Sequence, residues 1–195
     1  YNTVATRFAS KLTHPKREVE TALGNLLADG VAEADNCDVV LLGSGSVRLK
    51  EMGPVVTLGN FVSCFPYNDT LTRFTVDGAH LRRMFAHWMR PENRTGEGEC
   101  YQVNGNVRAV YDQRARQLES LQIKGGPVRD DQLYTVVLAG YHVSNCAAYL
   151  NITYDELTAA GRPKVVSTAA QDVLLEFLRN NQNLSRKVEG RLVYK

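Results

Sequence analysis

Residues 38–48 constrain the fold of this chain more than any other stretch. Residues 39–42 are valines followed by leucines, a short apolar run that predicts a buried strand and is too short for a helix. Residues 43–46 are only glycine or serine, and Arg48 lies just beyond them. Small residues at a strand end let backbone N–H groups approach a ligand, and a guanidinium suits a phosphate or carboxylate. Most Gly/Ser turns after strands mark only a turn, so the pattern alone favours the plain turn.

The remaining pattern is a mixture of helices and strands. Helices are predicted over residues 18–28, with Gly30 beyond the end, from near Asp77 up to Pro91, and after Ser167 and Thr168. No internal repeat or linker interrupts the chain, and 195 residues can bury a substantial core without metals or disulfides. We therefore expect a single α/β domain covering residues 1–195. Strands are predicted at residues 38–42, 55–58, 72–76, 107–111, 118–123 and 134–139.

Charge and hydrophobicity argue against two classes of partner. The net charge is only +2, whereas a nucleic-acid binder is expected to carry clustered basic residues. No apolar run approaches the roughly 20 residues that a membrane span needs. We expect neither a nucleic-acid partner nor a membrane span in this chain. The densest arginine group flanks a helical pattern and is more often a solvated face: Arg82, Arg83, Arg90 and Arg94.

Cysteines and glycosylation sequons bear on the compartment. The four cysteines show no spacing typical of a zinc site, and free buried cysteine is common beside strands. Four Asn-x-Ser/Thr sequons exceed the one or two expected by chance and favour a secretory route, although a glycan at Asn68 would be awkward. The chain begins with Tyr1 and shows no signal peptide, which suggests a piece of a longer protein. The other sequons are at Asn93, Asn151 and Asn183, and the cysteines are Cys37, Cys64, Cys100 and Cys146.

The chain carries no recognisable catalytic motif. The four histidines do not form a ligand motif, and His80 and His87, seven residues apart on a predicted helix, are more often solvated than metal-binding. Residues 43–47 lack the Gly-x-Ser-x-Gly frame of a nucleophile elbow. We therefore predict no catalytic residue and no metal site here, and no catalysis by the chain alone.

Seven segments in order resemble the C-terminal domain of the 5′-nucleotidase family, which includes UDP-sugar hydrolases and 2′,3′-cyclic phosphodiesterases. Each segment alone is weakly specific, but together they span almost the whole chain. The segments are residues 17–26, 38–48, 65–71, 101–105, 121–128, 134–141 and 188–191.

The resemblance implies a fold and a parent enzyme. The fold would be a layered α/β/β/α domain with mixed sheets and about three main helices. The family's catalytic centre lies in an N-terminal metallophosphoesterase domain, outside this chain and in cis, where two divalent metal ions such as Zn, Mn, Mg or Co act on the phosphate. The resemblance thus implies the substrate-binding part of a phosphoric ester hydrolase. It also implies an extracellular, cell-surface or periplasmic location.

The resemblance also implies the residues of a nucleotide site. Tyr67 and Tyr141 would stack the base between them, because each nucleobase offers a π-face to an aromatic ring. Arg17 and Arg48 would point at the phosphate. The loop around Gly105 would line the pocket. No catalytic or metal-binding residue is carried over.

Two departures from the family leave the ligand open. Gly43 stands where the family usually has an asparagine that hydrogen-bonds the base, and Ala147 stands where an aspartate holds the ribose hydroxyls. Losing such a partner costs roughly 1–3 kcal/mol. Three functions remain open: nucleotide recognition, recognition of a non-nucleoside phosphate ester, and a degenerate non-catalytic binding or scaffold module.

Overall fold

The structure is a computed structural model that describes residues 1–96 and 98–195. A 3₁₀ turn, Ser44–Ser46, follows the third strand. The helices are α1 Ala22–Asp35, α2 Leu58–Cys64, α3 Gly78–Trp88, α4 Pro91–Thr95, α5 Gly140–Ser144, α6 Cys146–Leu150, α7 Tyr154–Thr158 and α8 Ala170–Arg179. The strands are β1 Val4–Arg7, β2 Leu12–Thr13, β3 Val39–Gly43, β4 Glu51–Met52, β5 Val55–Thr57, β6 Leu71–Asp77, β7 Tyr101–Val103, β8 Val107–Asp112, β9 Gln117–Ile123, β10 Gly126–Pro127, β11 Leu133–Ala139, β12 Lys164–Ser167 and β13 Leu192–Tyr194.

Two larger sheets organise the domain, and both are mixed. The five-stranded sheet has the order β12-β6-β11-β3-β7, and the four-stranded sheet has the order β10-β9-β8-β13. In the first sheet β11 runs parallel to β3 and antiparallel to β6, while in the second β13 runs parallel to β8. All six predicted strands are present, and the predicted mixed α/β class is confirmed.

Both faces of the five-stranded sheet are covered. Val40 and Leu42 belong to one buried cluster, which includes the apolar residues of α1 and α8. Val39 and Leu41 belong to a second cluster, with α3 and residues of the four-stranded sheet. Successive residues of a strand point to opposite faces, so a strand covered on both sides must be apolar throughout. This explains the uninterrupted apolar run of β3.

Three helices, α1, α3 and α8, have ten or more residues, as predicted, but the predicted limits of α1 are wrong. The helix begins after Thr21, whose hydroxyl accepts a hydrogen bond from the Gly24 N–H at 3.0 Å and so caps the first turn. Gly30 does not follow the helix; it lies inside it, because α1 continues to Asp35. A Cβ at Gly30 would lie only 3.1 Å from Leu174 Cδ2 of α8, so the glycine permits the two helices to approach closely.

The strand directions bring several loops to the same side of the five-stranded sheet, where the strands β3 and β11 end. β3 and β11 are parallel, so Gly43 and Ala139 end them at the same edge. Tyr101 pairs with Gly43 and Leu71 pairs with Ala139, which puts the segments before β7 and β6 there too. The Gly/Ser turn therefore meets three loops that are distant in sequence.

The sequons and cysteines have different surroundings. Asn68 is exposed, whereas Asn93 is only 6% exposed and its amide donates to the His87 carbonyl at 2.7 Å. A glycan on Asn93 is incompatible with that burial. The four cysteines are buried and free in the described part of the chain. Among the described residues, no helix is long and apolar enough to span a membrane.

Candidate functional site

The loops at the sheet edge enclose a cavity of about 560 Å³, which we call the strand-end cavity. Drug-sized and cofactor-sized ligands occupy pockets of roughly 300–1,000 Å³. Four of the five predicted site residues contribute to its wall. The lining residues are Arg17, Leu42, Gly43, Gly45, Ser46, Arg48, Phe65, Tyr67, Asp69, Gly98, Glu99, Ala139, Tyr141, His142 and Ala170.

Buried Ser44 fixes the Gly/Ser turn at the floor of this region. Its hydroxyl donates to the Arg17 carbonyl at 2.5 Å and accepts from Gln102 Nε2 at 2.9 Å. The His14 Nε2 atom lies 3.1 Å from the Ser44 carbonyl oxygen. These contacts join the segment before α1 to the end of β3, and so hold Arg17 beside the turn.

The Arg17 guanidinium is engaged with the loop before β7. One terminal nitrogen lies 3.3 Å from the Gly98 carbonyl oxygen and 3.0 Å from Cys100 Sγ. The other lies 3.4 Å from the Asn93 carbonyl and 3.0 Å from the Gly96 carbonyl. Arg17 therefore reaches the strand-end cavity while holding this loop in place. A phosphate there would have to compete with those carbonyls for its N–H groups.

Arg48 differs from Arg17 in its freedom to bind an anion. Its side chain is exposed, and within the described part of the chain it makes one hydrogen bond, to the Gly45 carbonyl at 3.2 Å. Its other N–H groups are open to a ligand. Arg48 is thus the arginine of the cavity that is better placed to meet a phosphate.

Tyr67 and Tyr141 are large aromatic side chains left exposed at the cavity. Their exposed fractions are 48% and 54%. The Tyr141 ring packs against Tyr149, with centroids 5.8 Å apart and hydroxyl oxygens 2.9 Å apart. Asp69 accepts the Tyr141 backbone N–H at 2.8 Å and thereby anchors the start of α5. The fold leaves both tyrosines outside the core and places both of them at the strand-end cavity.

His142 is a cavity residue whose role the sequence did not indicate. It is only 2% exposed, and its Nδ1 lies 3.0 Å from the Tyr101 hydroxyl. Burial lowers the pKa of His142 to about 4, with the nearby Asp69 carboxylate acting in the opposite direction. The imidazole is therefore neutral near pH 7. Its place directly after Tyr141 was the one available signal.

Glu99 is a second cavity residue that sequence reasoning missed. Burial raises the pKa of its carboxyl group, while the positive charge of Arg17 lowers it. The side chain is half-buried and, with Asp69, adds a carboxylate to a wall that also carries two arginines. In the sequence it falls in a glycine-rich turn, which gave no sign that it would face a cavity.

The structure places Gly105 away from the strand-end cavity. Gly105 is not among the residues that line the strand-end cavity; its N–H donates to Asp29 at 2.9 Å, beside the Arg191 guanidinium. It follows β7, at the end of that strand opposite to Tyr101, which is paired with Gly43. Ala147 also lies elsewhere, on a smaller cavity with Arg83 and Glu156.

The histidines do not fit a metal centre. His14 contacts Thr21, and His80 contacts Asp77 and Glu156. The imidazole of His87 meets a backbone carbonyl. In the described residues, no group of three or more His, Cys, Asp or Glu side chains is arranged to hold a metal ion.

Comparison with known proteins identifies the family. Residues 3–152 match the model of the 5′-nucleotidase C-terminal domain. The chain belongs to this family. Endonuclease YhcR of Bacillus subtilis is 23% identical over 176 residues, which cover 89% of this chain and 14% of that protein.

Solved structures share the fold of this 5′-nucleotidase C-terminal domain. A 5′-nucleotidase precursor from Thermus thermophilus superposes with a TM-score of 0.79 at 20% identity, covering 98% of this chain and 39% of that one. The NAD nucleotidase NadN of Haemophilus influenzae gives 0.77 at 11% identity, covering 100% and 38%. The chain thus spans less than half the length of each of these relatives. The expected 5′-nucleotidase C-terminal fold is confirmed.

Proposed function

We propose that this domain recognises a nucleotide for a metal-dependent phosphoesterase of the 5′-nucleotidase type. The observation that carries the proposal is the convergence of Tyr67, Tyr141, Arg17 and Arg48 on one cavity, although they come from four separate segments. Two exposed aromatic rings suit a flat base, and exposed Arg48 suits a phosphate. The cavity volume of about 560 Å³ is appropriate for a nucleoside.

The chemical step belongs, in this proposal, to a metallophosphoesterase domain in cis. That domain would hold two divalent metal ions, which polarise the phosphate and generate the nucleophile. The present domain would hold the base and orient the ester toward the metals. An extracellular, cell-surface or periplasmic location is part of the same proposal, since the exposed sequons at Asn151 and Asn183 and the family both favour it.

A nucleoside titration tests the base site. We expect adenosine to shift amide NMR signals around Tyr67 and Tyr141, with a millimolar Kd, equivalent to about 4 kcal/mol. Tyr67→Ala and Tyr141→Ala should each weaken binding at least about fivefold, since one stacked base contributes roughly 1–3 kcal/mol. Tyr154→Ala is the matched control, because Tyr154 is 51% exposed but outside the cavity.

A comparison of AMP with adenosine tests the phosphate site. AMP should bind more tightly than adenosine, and Arg48→Ala should remove most of that preference, because a charge-assisted hydrogen bond contributes about 1.5–3 kcal/mol. Exposed Arg129, which does not line the cavity, provides the control Arg129→Ala.

The two other functions correspond to distinct results. Equal affinity for ribose 5-phosphate and AMP would indicate a non-nucleoside phosphate ester. No shift around Tyr67 or Tyr141 with any of these ligands at saturating concentration would indicate the degenerate module.

A further inference from the structure

The hydrogen-bonding state of His142 can be deduced from its buried partner. Tyr101 is 1% exposed, and its hydroxyl bonds to His142 Nδ1 and to no other described residue. Burial raises the pKa of Tyr101 well above its usual value, so the phenol keeps its proton. That proton has an acceptor only if the hydroxyl donates to Nδ1. The neutral imidazole then carries its own hydrogen on Nε2.

Because Gly43 has no side chain, the Nε2 atom of His142 can occupy the space beside it. A Cβ at position 43 would come within 2.9 Å of His142 Cε1 and closer still to Nε2. Any residue other than glycine would displace the imidazole. Nε2 forms no hydrogen bond with the described residues, and both Gly43 and His142 line the strand-end cavity. A neutral N–H donor that has no partner among the described residues is thus held at the end of β3.

We propose that His142 is a specificity-determining residue whose Nε2–H donates to a ring nitrogen or carbonyl oxygen of the bound ligand. The proposal rests on the proposed function and refines its ligand class to flat heteroaromatic rings with an acceptor at the ring edge. The imidazole lies next to the Tyr141 ring, with centroids 5.3 Å apart and planes at 84°, so the donor is beside the stacking position. A bound ring without such an acceptor would cover this N–H and leave it unpaired, which is costly.

The tautomer can be measured without any ligand. Long-range ¹H–¹⁵N correlation spectra of the imidazole at pH 7 should show the His142 hydrogen on Nε2. The variant Tyr101→Phe, which removes the hydroxyl, should shift the ¹⁵N signal of Nδ1. A hydrogen on Nδ1 in the unaltered chain would overturn the proposal whatever the ligand is.

Ligands that differ in one acceptor test the recognition itself. The test compares the Kd of adenosine with those of its 1-deaza, 3-deaza and 7-deaza analogues, each of which lacks one ring nitrogen. One analogue should bind the unaltered chain about fivefold or more weakly, the usual value of one hydrogen bond. In His142→Phe the four ligands should bind within about twofold of one another, whereas His142→Gln, which keeps an N–H donor, should retain part of the discrimination.

The outcomes separate this inference from the proposed function. Equal binding of the four ligands by the unaltered chain, or undiminished discrimination in His142→Phe, overturns the role of His142 and leaves the base site standing. Absence of any shift around Tyr67 and Tyr141 overturns the proposed function, and the role of His142 with it.

Discussion

At the scale of single residues, the strand-end cavity is lined both by buried side chains and by exposed ones. His142 is nearly inaccessible and neutral, whereas Arg48 at the same cavity is exposed. The two cavity arginines also differ: among the described residues, the Arg17 guanidinium contacts the Gly96 and Gly98 carbonyls, whereas that of Arg48 contacts only the Gly45 carbonyl. Each difference predicts a separate measurable effect.

His142 should make stability depend on pH. Its pKa falls from 6.5 when unfolded to about 4 when folded. Between those values the unfolded chain binds the proton and the folded chain does not, so stability is lost as the pH falls from about 6.5 to about 4. The full effect is on the order of 3 kcal/mol. We expect His142→Phe to show a smaller loss of unfolding free energy between pH 7 and pH 4.5.

Other groups titrate in the same range, so the comparison must be between the two proteins. Burial lowers the pKa of His14 and raises that of Glu99, and these contributions are common to both. Curves of unfolding free energy against pH that run parallel for the unaltered chain and His142→Phe would contradict the prediction.

Replacing each of the two cavity arginines should affect stability to a different extent. Arg17→Ala removes the hydrogen bonds that hold the loop before β7, including that to the Gly96 carbonyl. We expect it to destabilise the chain by about 1–3 kcal/mol and to speed amide hydrogen exchange at Cys100. Arg48→Ala, the matched control, should change stability by no more than about 0.5 kcal/mol. Urea denaturation measures both, and equal losses would refute the distinction.

At the scale of elements, the sequence pattern predicted those helices and strands whose formation depends on neighbouring residues in the sequence. All six predicted strands and the three main helices exist, because apolar alternation and spacing select them directly. The start of α1 was misplaced because a long-range contact decides it. Glu20, predicted to be helical, is buried and accepts the backbone N–H groups of Glu189 and Gly190.

The site was predictable only in part, for a similar reason. Family resemblance selected Arg17, Arg48, Tyr67 and Tyr141, and the sheet topology brings them together. Burial is a property of the whole fold, so no sequence pattern could show the neutral state of His142. The binding roles of these residues stay predictions.

The contact between α1 and α8 gives a prediction about Gly30. Replacing a helical glycine by alanine normally stabilises a helix by about 1 kcal/mol. Here the new methyl group would meet Leu174 at 3.1 Å and Phe177 more closely. We therefore expect Gly30→Ala to destabilise the chain by about 1–3 kcal/mol, the usual cost of overpacking.

A second substitution shows whether the clash is the cause. Phe177→Leu in the Gly30→Ala background should recover part of the loss, because it shortens the facing side chain. Thermal or urea unfolding of the four proteins of this cycle gives the coupling. A stabilising Gly30→Ala would show that α8 moves aside at no cost.

At the scale of the whole molecule, the proposed division between a binding domain and a catalytic domain can be tested on this chain alone. We expect the purified 195-residue chain to hydrolyse no nucleotide, cyclic nucleotide or UDP-sugar when Mn²⁺, Co²⁺ or Zn²⁺ is added. A two-metal site needs clustered ligands, and the described residues provide no such group. Release of phosphate or of the free sugar is the measurement. Metal-dependent turnover that survives repurification and tracks the protein in its elution profile would refute the expectation.

The placement of the cavity at the ends of strands also affects how the domain tolerates change. Gly43 and Ala139 are the last residues of β3 and β11, and the cavity is completed by loops and by Tyr141 and His142 in the short helix α5. Replacing exposed lining residues such as Arg48, Tyr67 and Tyr141 leaves the ladder between β3 and β11 and both apolar clusters intact. At those positions ligand preference can change with little effect on stability, whereas Arg17 and His142 are expected to affect both. Positions 43 and 142 are an exception, because any side chain at position 43 would meet the His142 imidazole, so these two residues can change only together.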